Sequence, residues 1–193
     1  MPNDILPNDT TAYPILPDAV REAFAESQPE AVFTSLLPAL GQALNVDRCF
    51  LLLRNPATRI HRVICWRRDE SLPDTSTDGW QPEEEWEKDD PMFAAALATQ
   101  PSIYVEDIET ARPETLNRDF ERQYLGHRAL VHAHICHEGQ LWGILQPAVF
   151  GQPRIWTEAD RQTIDAVVQL LVPSVMAAVK SMAAVKSATV KSE

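Results

Sequence analysis

The clearest hydrophobic pattern in the sequence lies near its C-terminal end. Apolar residues from Ile164 to Val179 recur at helical spacing, which places them on one face of an amphipathic helix. Thr157 and Asp160 form a capping-box pattern just before this run and predict where the helix begins. Pro173 is expected to bend this helix without ending it. The Val-Lys-Ser repeats that follow fit no regular period, so residues 180–193 are predicted to be a frayed tail.

A second amphipathic helix is predicted in the N-terminal third of the chain. Apolar side chains from Phe33 to Leu44 have the same helical spacing. Ser27 and Glu30 form a capping box that predicts the start of this helix, and Pro38 is expected to kink or interrupt it. The proline-rich residues 1–17 have no period and are predicted to be an irregular arm.

Short runs rich in β-branched, aromatic and other apolar residues predict the strands. These runs are Asp47–Leu53, Ile60–Trp66, Ile103–Val105, Arg128–Cys136 and Gln140–Val149. Two shorter helices are predicted at Pro91–Ala98 and Pro113–Tyr124. The order of elements predicts an α+β fold, in which an antiparallel sheet of five or six strands carries helices on both faces. Residues 18–179 are expected to form this single domain, with the first and last long helices sharing one face.

The charge balance argues against a nucleic-acid partner. The 193 residues carry a net charge of −11, whereas nucleic-acid binding depends on clustered lysine and arginine. Ten of the acidic residues lie between Asp69 and Asp90, a stretch predicted to be a solvated loop. A calcium site is the alternative there, but Asp74, Asp78 and Gly79 lack the required ligand spacing.

The cysteines and the apolar runs predict a cytoplasmic protein without a membrane span. Cys49, Cys65 and Cys136 are odd in number and irregularly spaced, which does not fit a secreted disulfide framework. No uninterrupted apolar run reaches the ~18 residues of a membrane span, and the N-terminus does not resemble a signal peptide.

One predicted strand brings potential metal ligands onto a single face. His132, His134 and Cys136 alternate along it, and these residue types can bind zinc or copper. A strand spaces them too widely for a closed site without further ligands, so we expect a partly solvated or hydrogen-bonded face and no metal. Whether the three side chains converge on a metal stays open at this point.

Familiar catalytic motifs are absent from the sequence, which contains no nucleophile elbow, phosphate-binding loop or His-Glu-x-x-His. A redox thiol mechanism would depend on Cys136 and a nearby resolving cysteine. Nothing in the cysteine spacing requires such a pair. We therefore predict no catalytic residues and a protein that is not an enzyme.

Several short motifs in the right order resemble one family. The segments Gly139–Leu145 and Gln152–Asp160, followed by the long helix, resemble the C-terminal half of a GAF domain of the bilin-binding phytochrome and cyanobacteriochrome type. Asn45–Phe50 is similar to the first strand of that family, and Val105–Ile108 is similar to its middle. The resemblance covers roughly residues 29–176.

The resemblance implies a chromophore pocket whose attaching residues are replaced. The Cys-His pair that holds the bilin in such domains aligns with Leu116 and Asn117, and a bilin-contacting histidine aligns with Ala148. Met92 occupies the cysteine position of an Asp-x-Cys-Phe motif. A thiolate is required for the thioether linkage, so covalent bilin attachment is not expected. Asp90, Phe93, Tyr104 and Trp142 remain as candidates to line the pocket, or else they pack the core.

Two functions follow from this resemblance as alternatives. The first, which the sequence favours, is a stand-alone adaptor or regulatory module that acts through protein contacts, in a cyanobacterial light-signalling or photosynthetic context. Its partner would be another protein or a second copy, and a homodimer would pack through its terminal helices. The candidate dimer positions are Ile164, Val168, Leu171 and Val175. The alternative is a sensor that holds a tetrapyrrole or another small molecule noncovalently, with no other cofactor.

Overall fold

The fold is a single six-stranded antiparallel sheet with helices on both faces, as predicted. The computed structural model describes residues 16–190, with side chains through residue 182. The strand order is β3-β2-β1-β6-β5-β4. The strands are β1 (Arg48–Asn55), β2 (Ile60–Arg67), β3 (Gln81–Pro82), β4 (Ile103–Val105), β5 (Ala129–His137) and β6 (Gln140–Val149). The helices are α1 (Asp18–Ala23), α2 (Pro29–Ala43), α3 (Pro91–Leu97), α4 (Arg118–Tyr124) and α5 (Glu158–Val190).

One face of the sheet is covered by α1, α2 and α5, which we call the helical face. Apolar side chains of these helices pack on β1, β5 and β6 in one continuous core. Phe33 and Leu36 of α2 and Ile164 and Leu171 of α5 are fully buried in it. The prediction that the first and last long helices share one face is therefore confirmed.

The opposite face, which we call the cavity face, is covered by α3, a 3-10 turn at Trp86–Lys88 and α4. Two smaller apolar clusters form there, one around Phe93 and Ile144 and the other around Met92 and Leu130. The predicted helix at Pro113–Tyr124 begins only at Arg118, because Asn117 accepts a hydrogen bond from the Phe120 N–H and acts as the N-cap.

The two predicted capping boxes have different outcomes. The Thr157 hydroxyl accepts from the Asp160 N–H at 3.2 Å, and Asp160 Oδ2 accepts from the Thr157 N–H at 2.9 Å, so the start of α5 is confirmed. The box at Ser27 is wrong. Helix α2 has Gln28 as its N-cap with no side-chain cap bond, because Pro29 occupies the first helical position and needs no acceptor. The helix also continues past Pro38 to Ala43.

Helix α5 is longer than predicted. It remains helical through Val190, where the sequence predicted a frayed tail after Val179. Six of the eleven residues from Lys180 to Val190 are alanine, lysine or methionine, which are strong helix formers, and no glycine or proline interrupts them. The last three residues of the predicted tail and the first fifteen of the predicted N-terminal arm lie outside the described residues.

By length and composition alone, the stretch Glu158–Met182 would suffice to cross a membrane. This is weak evidence, since the core helix of a globular protein passes the same test, and Leu171 and Val175 here are buried against the sheet. The absence of a membrane span therefore stays a prediction.

The hairpin between β5 and β6 carries an irregularity that changes side-chain directions. Glu138 and Gly139 both have positive φ angles and form its tight turn. Beyond the turn, Leu141 pairs with Cys136 while Gly143 pairs with Ile135, so Trp142 is an extra residue in β6. Such a β-bulge reverses the alternation of side chains on one strand relative to its neighbour.

Candidate functional site

A cavity of about 260 Å³ lies between the cavity face of the sheet and the elements that cover it. We call it the central cavity. Its aromatic walls are Phe50 from β1, Trp86 from the 3-10 turn, Phe93 from α3 and Phe120 from α4. Trp86 packs edge-to-face against Phe93, with ring centroids 5.3 Å apart. Walls of this kind fit flat apolar ring surfaces.

Aliphatic and polar side chains complete the lining. Leu52, Val63, Leu125 and Ile144 supply the remaining apolar surface. The polar lining residues are His61, Thr75, Thr77, Asp90, His132 and Gln146. The lining thus has the composition typical of small-molecule sites, which combine apolar walls with a few placed polar groups.

Three polar atoms of this lining are buried without a hydrogen-bond partner. They are His61 Nδ1, Thr75 Oγ1 and Gln146 Nε2. His61 and Gln146 as whole residues are 6% and 1% exposed. Buried polar groups are nearly always hydrogen-bonded, and each unmade bond costs about 1–3 kcal/mol. Their grouping around one cavity is the feature expected of a site whose polar partner is a ligand.

Asp90 places a carboxyl group at the cavity. Its side chain accepts a hydrogen bond from the Met92 N–H at 2.9 Å and caps the start of α3. Burial, followed by the nearby carboxylate of Glu121, raises the pKa of Asp90 to about 6. The group is therefore mostly ionised at neutral pH and loses its charge only slightly below it.

His132 and His134 form a hydrogen-bonded pair that leads from the cavity to the protein surface. His132 Nδ1 lies 2.9 Å from His134 Nε2, and His134 Nδ1 lies 2.7 Å from the Gln100 carbonyl oxygen. A carbonyl can only accept, so the network assigns the proton of His134 to Nδ1 and makes its Nε2 an acceptor. His132 must then donate from Nδ1. Burial lowers the pKa of both rings, which keeps them neutral.

A second buried network lies beside the cavity. The Arg48 guanidinium donates to His127 Nδ1 at 3.2 Å, and His127 Nε2 lies 2.6 Å from Glu121 Oε2. Because arginine cannot accept a hydrogen bond, the network assigns the ring proton of His127 to Nε2, facing Glu121. Arg48 and Glu121 are both fully buried and balance each other's charge across the ring.

The acidic stretch between Asp69 and Asp90 is mostly the exposed loop that its composition predicts, since seven of its ten acidic residues are exposed, but part of it is folded against the sheet. Glu83 is completely buried at its side chain and binds Arg54 at 2.5 Å and Arg59 at 2.8 Å. The backbone on either side pairs with β2 or turns inward, so Thr75 reaches the cavity wall. The ion pairs of Glu83, of which the one with Arg54 is buried, hold this part of the stretch against the sheet, and composition alone does not reveal them.

The predicted pocket residues separate into groups. Asp90 and Phe93 line the central cavity. Met92, Leu116 and Ala148 are buried together in the neighbouring apolar cluster and do not line it.

Asn117 lies elsewhere: its side chain caps α4 and donates to the Asp89 carbonyl, at the edge of a separate surface groove. The structure thus brings together two of the eight predicted pocket residues at the cavity itself.

Tyr104 and Trp142 lie on the other side of the sheet, so their predicted position in the pocket is wrong. Tyr104 pairs with Val131 in register and contacts α5, where the Arg161 guanidinium lies 4.0 Å from its ring centroid. Trp142 packs against the core of the helical face because the bulge in β6 turns it away from Ile144. The family resemblance that suggested Tyr104 and Trp142 as pocket residues does not predict that their side chains lie on the helical face.

The candidate dimer residues face the protein's own core. Ile164, Leu171 and Val175 are fully buried against the sheet and α2, and Val168 is half-buried in the same core. These side chains are therefore occupied within one chain. Leu170, which is 41% exposed, is the large apolar side chain that α5 presents outward among the described residues.

The cysteines lie outside the central cavity, and His132 and His134 on the histidine strand are hydrogen-bonded to each other. None of Cys49, Cys65 and Cys136 lines the central cavity. Burial raises the pKa of the Cys49 and Cys136 thiols, which disfavours the reactive thiolate. Between residues 16 and 182, no group of three or more histidine, cysteine, aspartate or glutamate side chains could hold a metal ion.

His61, Thr75 and Gln146 line the central cavity although no sequence motif predicted them there. His61 and Gln146 are polar residues within otherwise apolar strands, and that contrast was the available signal. Thr75 had no signal, since only the folded acidic stretch brings it to the cavity.

The fold and the cavity together define a small α+β domain with one six-stranded antiparallel sheet and a cavity of ligand size on one of its faces. A GAF-domain family model matches residues 28–173, and the chain belongs to the GAF-domain family. No curated protein matches the chain.

Solved structures agree in fold. The chromophore-binding domain of an unusual bacteriophytochrome from R. palustris has a TM-score of 0.62 at 16% identity, covering 82% of this chain and 59% of that one. A GAF domain from an Acinetobacter phosphoenolpyruvate-protein phosphotransferase has a TM-score of 0.62 at 10% identity, covering 83% and 89%. The photoproduct state of a GAF domain from Synechocystis has a TM-score of 0.60 at 20% identity, covering 80% and 98%. This chain spans only 37% of the longer bacteriophytochrome structure from R. palustris.

Proposed function

We propose that the protein is a non-catalytic sensory module that binds a small flat molecule noncovalently in the central cavity. The observation that carries this proposal is the grouping of three unpartnered buried polar atoms, on His61, Thr75 and Gln146, around one open cavity. A protein that acts only as an adaptor does not need unpartnered polar atoms at a cavity, because apolar side chains packed in the same space would make the protein more stable. Ligand binding therefore moves ahead of the adaptor role that the sequence favoured.

The size of the cavity favours a ligand smaller than a tetrapyrrole. At about 260 Å³ it lies just below the ~300–1,000 Å³ of typical ligand pockets. A molecule of one or two rings fits this space between the Phe50, Phe93 and Trp86 rings. A noncovalent tetrapyrrole remains the second candidate because the bacteriophytochrome domain from R. palustris shares the fold, and it would require the cavity to expand.

We also propose that covalent bilin attachment has been lost. The position that the resemblance assigns to the attaching cysteine is Leu116, which is buried, and the three cysteines are absent from the cavity lining. A bilin thioether needs a thiolate at the ligand.

We propose that ligand binding is signalled onward through protein contacts. The partner would be a second copy of the chain or another protein in the cytoplasm. Helix α5 connects the sheet to the C-terminal end and offers Leu170 as a contact. A light-signalling or photosynthetic setting in a cyanobacterium belongs to the same proposal and rests on the resemblance alone.

The test compares a blocked cavity with an open one. Thr75 lies on the cavity wall outside the strands, so Thr75→Trp is expected to fill the space without disturbing the sheet. Thr58→Trp places the same side chain on an exposed turn and serves as the control. Native mass spectrometry of each protein from its source organism should show a bound small molecule on the wild type and on Thr58→Trp, but not on Thr75→Trp. Denaturing mass spectrometry should then show the unmodified chain mass.

A mass increase that survives denaturation would contradict noncovalent binding. A wild-type chain with no bound molecule, or one bound equally by Thr75→Trp, would overturn the proposed function. An absorption spectrum recorded on the same samples distinguishes a tetrapyrrole, which absorbs visible light, from a smaller colourless ligand.

A further inference from the structure

The charged side chains that line the central cavity are acidic only. Asp90 is the single carboxylate among the described residues that line it, and no lysine or arginine belongs to that lining. His61 and His132 are both kept neutral by burial, which lowers the pKa of each. An ionised Asp90 is therefore not balanced by any cation at the cavity wall.

The nearest buried cation is already matched. Arg48 lies beyond Phe50, with its guanidinium carbon 5.8 Å from that ring's centroid, and it reaches His127 and the Pro73 carbonyl. Its charge is balanced by Glu121 on the far side of His127. Arg48 therefore does not offset the charge of Asp90 within the cavity.

The hydrogen-bond network also fixes the polarity of His132. His132 donates from Nδ1 to His134, which in turn donates to the Gln100 carbonyl. The remaining ring nitrogen, Nε2, then carries a lone pair and no hydrogen. His132 on β5 and Gln146 on β6 both line the cavity, so its wall offers this acceptor together with an amide that can either donate or accept.

We propose that the central cavity selects a weakly basic nitrogen heterocycle of one or two rings, bound in its protonated form through Asp90 and His132. This inference rests on the proposed function and names the chemistry of its ligand. The ring N–H groups of such a cation supply the donors that a carboxylate and an imidazole lone pair accept. The aromatic walls supply stacking and cation–π contacts for the ring face.

The same arrangement excludes anionic ligands. A phosphate or carboxylate placed in this cavity would lie near Asp90, removed from water and without a cationic partner. Asp90 therefore selects ligands in two ways, because it attracts a cation and repels an anion.

Three quinolines of similar size test the proposal: 4-aminoquinoline is a cation at neutral pH, quinoline is neutral and quinoline-4-carboxylate is an anion. Calorimetric titration of the full chain should show 4-aminoquinoline binding at least about ten-fold more tightly than the anion, the scale of one charge-assisted hydrogen bond. In Asp90→Asn, which keeps the cap on α3, this preference should fall by about ten-fold. Asp89→Asn removes the same charge from an exposed neighbour outside the cavity and should leave the preference unchanged.

Equal affinity for all three quinolines, tighter binding of the anion, or a preference that survives in Asp90→Asn overturns the inference. None of these outcomes affects the proposed function, which depends on the difference between Thr75→Trp and Thr58→Trp. Should Asp90→Asn fail to fold by circular dichroism, the wild-type ranking of the cation and the anion decides on its own. Failure of the cation to bind the wild type also contradicts the inference.

Discussion

At the scale of single residues, Asp90 has two roles that make opposite demands on its charge. As the N-cap of α3 it accepts from the Met92 N–H, and a capping carboxylate is most effective when ionised. Its burial and the proximity of Glu121 oppose ionisation and raise its pKa to about 6. A ligand that bears N–H donors would relieve this conflict, since it would replace the water that the carboxylate has lost.

The elevated pKa of Asp90 predicts how stability depends on pH. The folded protein holds this proton up to about pH 6, whereas the unfolded chain releases it near 3.8, so stability contributed by Asp90 falls as pH rises through that window. Asp90→Asn removes this dependence and keeps the cap. Relative to wild type, the variant should gain at most about 3 kcal/mol between about pH 4 and about pH 7.5.

Urea unfolding of both proteins at the two pH values measures this difference. The other titratable groups around Asp90, which are Glu121, His127, His61 and His132, are present in both proteins, so the comparison isolates the effect of removing the charge at position 90. A stability difference that stays constant with pH would contradict a raised pKa for Asp90.

At the scale of secondary-structure elements, two similar capping patterns, Ser27-x-x-Glu30 and Thr157-x-x-Asp160, precede helices that start in different ways. Thr157 and Asp160 form the reciprocal bonds of a capping box, whereas Ser27 and Glu30 do not. The difference is Pro29, which fixes φ at the first helical position and has no N–H to satisfy. A capping pattern is therefore informative only together with the residues inside it.

This contrast predicts opposite outcomes for two matched substitutions. Thr157→Ala removes an acceptor for the Asp160 N–H and should lower the free energy of unfolding by about 1 kcal/mol. Ser27→Ala removes no side-chain cap bond and should change it by less than about 0.5 kcal/mol. Urea denaturation of the two variants measures both values. Equal losses would show that the two helix starts are capped in the same way.

The hydrophobic pattern of the sequence predicted where helices and strands lie better than it predicted which face of the sheet each side chain occupies. The β1–β2 hairpin, β4 and the start of α5 follow from local patterns of apolar and turn residues. The bulge at Trp142 has no comparable signal, because one extra residue in an alternating strand leaves its composition unchanged. Trp142 therefore lies on the helical face although its neighbour Ile144 lines the cavity.

At the scale of the whole molecule, the cavity depends on residues far apart in the sequence. Thr75, Asp90, Phe120, His132 and Gln146 come from five different segments and meet only in the folded sheet. Sequence resemblance placed Asp90 and Phe93 at the pocket, but it could not place side chains that enter through the folding of the acidic stretch. That stretch is held by the ion pairs of the buried Glu83 carboxylate with Arg54 and Arg59, which join residues far apart in the sequence.

The ion pairs of Glu83 are therefore expected to hold one wall of the cavity in place. Glu83→Ala leaves Arg54, which is 5% exposed, without its carboxylate partner and should cost about 3 kcal/mol. Hydrogen exchange should accelerate in residues 69–90 while α2 and α5 stay protected, and binding of the cavity ligand should weaken. Glu84→Ala, at an exposed neighbour, is the matched control. If hydrogen exchange instead accelerated equally in residues 69–90 and in α2 and α5, Glu83 would stabilise the whole fold. The acidic stretch would then have no separate role in closing the cavity.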